Sequence, residues 1–484
     1  MGKPDEIYEL MQKKPRAEDR EWILRAYDFA KKSHEGHKRA SGEPYFNHIF
    51  EVAKTLAKLG MDSKTIVAGL LHDTIEDTDV TEEIIEKEFG PDVLFLVNGV
   101  TKLGKLKYRG EQRHVESLRK FFVAMAEDVR VIIIKLADRL HNTQTLKHLL
   151  PEKSKRVALE TIEIHAPMAN RLGMWRLKGE LEDNAFPFAY PKEARDVEKL
   201  LKQKTKTDQK YLDQVYKSLR KELAKNNIKV IETSYRIKGQ YSLYKKLQKK
   251  DMDIDKIYDI VALRVIVPSM EDCYQVLGII HNLWRPIPGR IKDFIALPKP
   301  NGYKSIHTTI FTGNGGIAEI QIRTPEMHGQ AEHGVASFFA YKEGFDKNHK
   351  HVGWIEQFKE LQRTVSKPSA FLNNLKIDFF SKRIFVFTPK GAVIELPEDS
   401  CAIDFAYAVH SDIGKHASGV KINGKYSKLD AKLHNGDIVT IEKNEKSNPT
   451  TRWFDAAKTT LARRHIKRYL DENSLLTKFM NRFR

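Results

Sequence analysis

Two cysteines, Cys273 and Cys401, are the only thiols in this 484-residue chain. Lying so far apart in sequence, they offer neither a disulfide framework nor a cysteine-based zinc site. Long apolar runs are missing as well. No stretch nears the ~18 apolar residues that would span a bilayer, and Met1-Gly2-Lys3-Pro4-Asp5 lacks the apolar core of a secretory signal. The expectation is a reducing, cytoplasmic setting with no membrane partner. Aromatics are also scarce among the lysines from Lys199 to Lys225. That stretch therefore has no platform for stacked bases, and its charge reads equally well as a solvated helix face or as an attraction for polyanions.

What the chain does have is size and regional positive charge. At 484 residues it exceeds one hydrophobic core and implies about three or four domains. Its 41% hydrophobic and 31% charged content is that of an ordinary soluble globular protein, so disorder is not expected. The formal charge is +18, but the surplus is uneven: Pro191 to Lys250 holds 18 basic against 7 acidic residues, and Thr451 to Arg484 holds 9 against 3. Such fields suit nucleotide phosphates or an RNA backbone.

From Glu18 to about Phe188 apolar residues recur at helical spacing, as in Trp22-Ile23-Tyr27, Ile49-Val52-Leu56 and Ile66-Leu70. Ser41-Gly42, Gly60 and Gly90-Pro91 punctuate the pattern, and Asp62 or Ser63 can cap the helix that follows Gly60. Val129 to Ala137 is β-branched enough to pass for a strand, but Asp128 as a cap and the Asp138/Asn142 spacing favour a buried helix. After a lysine-rich helical connection the texture turns to strands at Ala262–Val267, Ile306–Ile310 and Ala318–Ile322, with a helix over Asp272–Trp284. A third unit, with strands at 384–387, 392–396 and 437–441 around a helix near Ile403–His410, reads as a small β-grasp fold. The expected division is an all-helical domain at 1–190, a basic helical connection at 191–226, a mixed-sheet domain at 227–345 and a helical linker at 346–382. A β-grasp domain at 383–443 and the start of a helical tail at 444–484 complete it.

Phosphate-ester hydrolysis by a divalent metal needs neutral imidazoles and carboxylates around an open coordination position. His48, His72-Asp73 and Asp138 supply that donor set. Glu76 and Asp77 each follow His72 or Asp73 by four residues, so all four side chains can crowd one end of a single helix. Any one of these residues has a plainer explanation. A lone His48 is more often a satisfied core histidine, and Asp138 could pair with Arg139. The full His…His-Asp…Asp pattern outweighs those readings.

In order and spacing these residues resemble the HD-domain metal phosphohydrolases. More narrowly, five segments are similar to the hydrolase half of the RelA/SpoT homologues: Arg39–Tyr45, His72-Asp73-Thr74-Ile75-Glu76-Asp77-Thr78, Val100–Leu103, Lys135–Asn142 and Asn170-Arg171-Leu172-Gly173. That family makes and destroys guanosine tetra- and pentaphosphate, (p)ppGpp. The resemblance implies that His48, His72, Asp73 and Asp138 hold Mn²⁺, that Glu76 and Asp77 activate water, and that Arg39 and Asn142 contact the nucleotide. The implied reaction removes pyrophosphate from the 3′ position. The chain departs from the pattern at Ala40, Ile49 and Asn170, where a basic residue, a proline and a histidine are common.

The central region is a second phosphate site. Tyr235–Lys246 offers four basic residues with a hydroxyl among them. Asp259 and Glu319 are the available acids, and Glu319 and Gln321 alternate with Ile320 and Ile322 so as to share one sheet face. Gly289–His307 is turn-rich, basic and aromatic, so Tyr303 can stack on a base while Lys299 and Arg290 meet phosphates. Glu319 alone would suit a half-exposed strand, and Gly289–His307 a proline-bounded surface loop.

Together with Glu319–Thr324 these segments are similar to the nucleotidyltransferase-like synthetase half of the same family. Transfer of pyrophosphate from ATP to the 3′-OH of GDP or GTP is implied, with Asp259 and Glu319 binding Mg²⁺ and Glu319 as base. Arg236, Lys238, Ser242 and Lys246 would face ATP. Arg290, Lys292, Lys299, Asn301, Tyr303, His307 and Gln321 would face GDP or GTP. Ile237 and Gly239 depart from the common pattern of the ATP loop.

Val386–Gly391, Asp404–His410 and Asn435-Gly436-Asp437 resemble the family's TGS domain. In long members this domain contacts uncharged tRNA on the ribosome, with His410 at a contact position. Zinc-finger-like and ACT modules of long members have no room before Arg484. The two opposed reactions imply a switch between the sites, expected in the helices from Leu172 to Leu223.

Overall fold

The computed structural model describes residues 2–104, 128–299, 301–312, 316–337 and 383–473. They fall into two units, Met1–Lys359 and Glu360–Arg484. The linker expected at 346–382, the stretch 338–345 and the end of the tail lie outside the described residues. Among those described, no helix is long and apolar enough to cross a membrane.

The first unit opens as a helical body. Tyr45–Lys58 turns Phe46, Ile49, Phe50, Val52, Ala53 and Leu56 inward at three- and four-residue spacing. Gly60 takes φ +78° in the turn that follows, and Asp62 caps the next helix, Ser63–Leu71, by accepting the Thr65 N–H at 2.9 Å. The β-branched run belongs to the helix Val129–Gln144, started by Asp128, which accepts the Arg130 N–H at 2.8 Å. Val131, Ile132, Ile133, Ile134 and Leu136 are all buried, so packing overrides their weak helical preference.

The structure differs from the single helix expected around His72. Ser63–Leu71 ends at His72, and Asp73 takes the N-cap position of a separate short helix, Thr74–Asp77. On a continuous helix His72 and Asp73 would point about 100° apart. The break instead brings Asp73 Oδ2 to 3.1 Å from His72 Nε2.

Two helices carry the chain onward, Trp175–Ala189 and Pro191–Lys225. The second buries Val197, Leu212, Val215, Leu219 and Leu223 in one core with Phe186, Leu263, Ile280 and Ile320, which joins the helical body to the sheet. Trp175–Ala189 packs on Val129–Gln144 and on a short helix of the sheet region, Gln240–Leu247.

That sheet has the order β1-β2-β5-β4-β3, formed by Glu232–Ile237, Val261–Ile266, Ile317–Arg323, Ile306–Phe311 and Lys292–Asp293. Only β2 and β5 are parallel, so the sheet is mixed. Its central strands are the most apolar. A capping box between Ser269 and Asp272 starts the helix Met270–Leu283, and Gly334 ends the helix Pro325–His333.

In the second unit β6 (Arg383–Phe387) and β7 (Val393–Pro397) form a hairpin, and β8 (Ala417–Ile422) lies between β9 (Lys425–Ser427) and β10 (Val439–Lys443). A parallel bridge from Phe387 to Ile438 connects the two sets. The helix Ala402–Val409 seals a core of Ile384, Val386, Leu396, Phe405, Val420 and Val439. Buried Asp404 accepts hydrogen bonds from Cys401 N, Lys458 N, Thr459 N and Thr459 Oγ1, and so ties the helix Thr460–Glu472 to this core.

Two candidate active sites

Four side chains converge where Tyr45–Lys58, the end of Ser63–Leu71 and Val129–Gln144 meet. His48 Nε2 lies 3.3 Å from Asp138 Oδ1 and 3.6 Å from Asp73 Oδ2. His72 Nε2 lies 3.1 Å from Asp73 Oδ2 and 4.0 Å from Asp138 Oδ1. Ligand atoms of His48, His72 and Asp138 fall within 4.8 Å of one another.

Groups behind the donors set their orientation. His72 Nδ1 donates to the Gly69 carbonyl oxygen at 2.8 Å, which turns Nε2 inward. His48 Nδ1 lies 2.8 Å from His141 Nδ1, which also receives Arg39 Nη1 at 3.2 Å. His141 therefore acts as acceptor, His48 donates from Nδ1, and His48 Nε2 is turned to the carboxylates, where it could bind a metal. Lys135 donates to Asp138 Oδ2 at 2.7 Å, Asn142 to Asp138 Oδ1 at 2.5 Å, and the Tyr45 hydroxyl to Asp73 Oδ2 at 2.8 Å.

Burial opposes a charge on His72, yet Asp73 and Asp138 beside it lift its pKa to about 9. Burial likewise works against both carboxylates. His72 next to Asp73 and Lys135 next to Asp138 nevertheless hold them well below the usual range. Burial, helped by His48 and Arg39, pushes His141 down to about 3, so it is neutral. His72 Nε2 is buried and, despite its 3.1 Å approach to Asp73, makes no hydrogen bond of acceptable geometry. A buried carboxylate, a half-buried one and an unsatisfied imidazole nitrogen fit a divalent cation with nitrogen and oxygen ligands.

The rim carries the remaining candidates. Arg39 Nη2 donates to Asn142 Oδ1 at 2.5 Å, and the Arg39 guanidinium lies 5.6 Å from the Tyr45 ring centroid. Glu76 and Asp77 are exposed on the short helix, with Asp77 against the Tyr45 hydroxyl.

In the sheet region Asp259 sits just before β2, with Lys238 Nζ 2.7 Å from its Oδ2 and Lys246 paired to the same oxygen. Burial would raise Asp259, but these ammonium groups hold it far below the usual carboxylate range, while burial brings Lys238 down to about 8. Glu319 on β5 lies opposite Ala262 of β2 and Thr309 of β4. Its Oε1 is 3.3 Å from His307 Nδ1 and accepts from Gln321 Nε2 at 2.8 Å. Burial resists the charge, but the His307 contact keeps Glu319 at about 2. The chain of contacts continues at both ends: Tyr303 OH is 2.7 Å from His307 Nε2, and Arg323 donates to Gln321 Oε1 at 3.1 Å.

Tyr303 is only 8% exposed. Lys299 Nζ stands 4.6 Å from its ring centroid, 4.5 Å from that of Phe294 and 5.0 Å from that of Trp175. The face expected to take a base is thus covered by a caged lysine in this conformation. Burial in that cage lowers Lys299 to about 8.

Other predicted residues are placed as follows. Asn301 donates to the Asn170 carbonyl oxygen at 3.1 Å, and Ser242 donates to Glu182 at 3.3 Å. Lys292 pairs across from His307, and Arg236 is exposed on β1. The Arg290 guanidinium lies over the Tyr258 ring, 5.6 Å from its centroid, and is not brought to the Glu319 cluster.

Comparison with known proteins matches three family models in this order: an HD domain over residues 26–175, the region found in RelA/SpoT proteins over 235–346, and a TGS domain over 384–443. A guanosine-3′,5′-bis(diphosphate) 3′-pyrophosphohydrolase of Aquifex aeolicus is 47% identical over 454 residues, covering 93% of this chain and 64% of the relative. The chain belongs to the RelA/SpoT family. A GTP pyrophosphokinase of Myxococcus xanthus is 44% identical over 461 residues, 94% of this chain and 61% of the relative. This RelA/SpoT chain therefore spans somewhat less than two thirds of these relatives' length. The solved small alarmone synthetase 2 of Bacillus subtilis aligns with 34% of the chain and 94% of its own at 26% identity, with a TM-score of 0.26.

Several residues of this family member have site contacts to which sequence reasoning gave no role. Tyr45 and His141 stand inside recognisable motifs, three residues from His48 and Asp138 respectively, so their place in the site, though not their partners, was a usable signal. Phe294 and Arg323 likewise lie in named segments, whereas Trp175, Glu182 and Asp183 gave no signal, because each reaches its site only through tertiary packing.

Proposed function

We propose that this chain is a cytoplasmic, bifunctional alarmone enzyme. One site would transfer the terminal diphosphate of ATP to the 3′-OH of GDP or GTP. The other would hydrolyse (p)ppGpp to GDP or GTP and pyrophosphate. The observation that carries this reading is the presence, in one folded unit, of two separately built clusters, His48/His72/Asp73/Asp138 and Asp259/Glu319 with their lysines.

In the hydrolase reading, His48, His72, Asp73 and Asp138 hold Mn²⁺, which when bound polarises the phosphate and acidifies water. The chain's own residues do the rest. His141 fixes the tautomer of His48, and Lys135 and Asn142 hold the Asp138 carboxylate. Glu76 and Asp77 take the proton from the attacking water, while Arg39 and Asn142 bind the nucleotide. The bond from phosphorus to the ribose 3′ oxygen breaks, and pyrophosphate leaves.

For synthesis, Asp259 and Glu319 hold Mg²⁺, whose charge offsets that of the triphosphate. Lys238 and Lys246 turn from Asp259 to ATP, joined by Arg236 and Ser242. Lys299 leaves its cage for the acceptor phosphates and uncovers Tyr303 for the guanine, with Asn301, Gln321, His307, Lys292 and Arg290 around it. The 3′ oxygen attacks the β-phosphorus, AMP departs, and Glu319 receives the hydroxyl proton. The His307 contact makes Glu319 a weak base, so its basicity rises once His307 turns to substrate. We assign the second unit, with exposed His410, to contact with uncharged tRNA.

Purified protein incubated with Mg²⁺, ATP and GDP, and separately with Mn²⁺ and the tetraphosphate, tests this by nucleotide chromatography. The reading expects AMP and tetraphosphate from the first mixture and GDP and pyrophosphate from the second. No turnover in either mixture would refute it.

A further inference from the structure

We infer that Asp183 is a positioning residue for ATP: it caps the helix Gln240–Leu247 from outside and so fixes Ser242 and Lys246. The inference rests on the pyrophosphotransfer reading above. Helix starts leave amide groups unpaired, and an N-cap side chain usually accepts from them. Here the N-cap is Gly239, which has no side chain to do so. The acceptor comes instead from the helix Trp175–Ala189, where Asp183 Oδ1 receives the Tyr241 N–H at 3.0 Å.

Gly239 has φ −59°, which any residue adopts, so backbone conformation does not require the glycine. Space does. A Cβ at 239 would lie 2.7 Å from Asp183 Oδ2 and 3.1 Å from Oδ1. The missing side chain is what lets the carboxylate lie over the helix end, where the helix dipole also favours negative charge.

The neighbouring acid completes the grip. Glu182 Oε2 accepts from Ser242 Oγ at 3.3 Å and from Lys178 Nζ at 2.7 Å. One turn beyond Ser242, Lys246 pairs with Asp259, the carboxylate that also holds Lys238. A displaced first turn therefore moves two groups assigned to ATP and loosens the lysine pair on Asp259. The capping helix also packs against Val129–Gln144, which bears Asp138 and Asn142. The first turn of this ATP helix is thus held by the helical body as well as by the sheet it packs on.

The test is calorimetric titration of the full chain with a non-hydrolysable α,β-methylene analogue of ATP in Mg²⁺, alongside GDP. Asp183→Ala is expected to bind the analogue about tenfold more weakly with GDP affinity unchanged, as loss of a typical cap implies. Asp183→Asn, which keeps an oxygen acceptor, stays within about threefold of wild type. In Asp183→Ala/Gly239→Ser, a serine at the N-cap accepts from the helix amides in the vacated space, and most of the lost affinity returns. Mn²⁺-dependent hydrolysis by the same preparations is unchanged.

Wild-type analogue affinity in Asp183→Ala overturns the inference, as does an equal loss of GDP affinity or of hydrolysis, or no recovery in the double variant. If wild-type protein binds the analogue but transfers nothing, the functional reading falls. The selective loss and its recovery would still uphold the cap.

Discussion

Gly329 and Gly334 lie five residues apart, and replacing each by alanine should change stability in opposite directions. Gly334 closes the helix Pro325–His333 at φ +57° and ψ −131°, a conformation that costs other residues about 1–3 kcal/mol. A Cβ there would lie 2.2 Å from the Leu172 carbonyl oxygen, 2.5 Å from Gly173 C and 2.7 Å from Met174 N. All three are backbone atoms, and the same Leu172 oxygen already accepts the Val335 N–H at 2.9 Å. Because none can rotate aside, overpacking adds about 1–3 kcal/mol.

Gly334→Ala should therefore destabilise the first unit by roughly 2–6 kcal/mol. Gly329 lies inside the helix with nothing within 4 Å of its would-be Cβ, so Gly329→Ala should stabilise by about 0.5–1 kcal/mol. Scanning calorimetry reads both. At about 2–4 °C per kcal/mol for a large domain, Gly334→Ala lowers the midpoint by at least about 4 °C, and Gly329→Ala raises it by about 1–4 °C. An unchanged midpoint in Gly334→Ala, or a comparable fall in Gly329→Ala, would refute the close packing of residues 172–174 against this helix end.

Tyr45→Phe removes the hydroxyl that donates to Asp73 and should slow hydrolysis about 10–100-fold, as loss of a ligand's supporting hydrogen bond does, with synthesis unaffected. Equal loss of both activities would contradict the placement of Tyr45. Lys299 is lowered to about 8 by burial, so its charge is present below that pH and lost as pH rises through it. KM for GDP in synthesis should then climb above pH 8, and Lys299→Arg, which stays charged, should flatten the rise. Between about 8 and the unfolded value near 10.4 the unfolded chain binds the extra proton, so this lysine's contribution makes stability increase with pH there. Asp404→Ala would leave two buried backbone N–H groups, a half-buried one and a hydroxyl without their acceptor, and should cost the second unit about 3–5 kcal/mol in urea unfolding. A loss below about 1 kcal/mol would mean that water replaces the carboxylate.

Ligand chemistry was the most legible part of the sequence. His48, His72, Asp73 and Asp138 stand out because candidate metal donors must be particular residue types, and the structure brings these four side chains together. Helices and strands followed from apolar spacing and from caps such as Asp62, Asp128 and Ser269. What spacing could not convey was the break at His72-Asp73, which brings the two side chains to 3.1 Å of one another. Nor could it show His141 behind His48, Lys299 boxed in by Trp175, or Asp183 over Gly239, because each pairs residues from different elements. The basic helix from Pro191 read as a charged connection and as part of a switch, whereas its apolar stripe is part of the core that joins the helical body to the sheet.

Two chemistries at separate sites of one chain are tested most directly by a crossed assay of Asp73→Ala and Glu319→Gln in both reaction mixtures. Asp73→Ala should lose hydrolysis of the tetraphosphate while still making it from ATP and GDP, and Glu319→Gln should do the reverse. If either substitution abolishes both reactions in protein that remains folded, or neither affects any, the two-site account is contradicted.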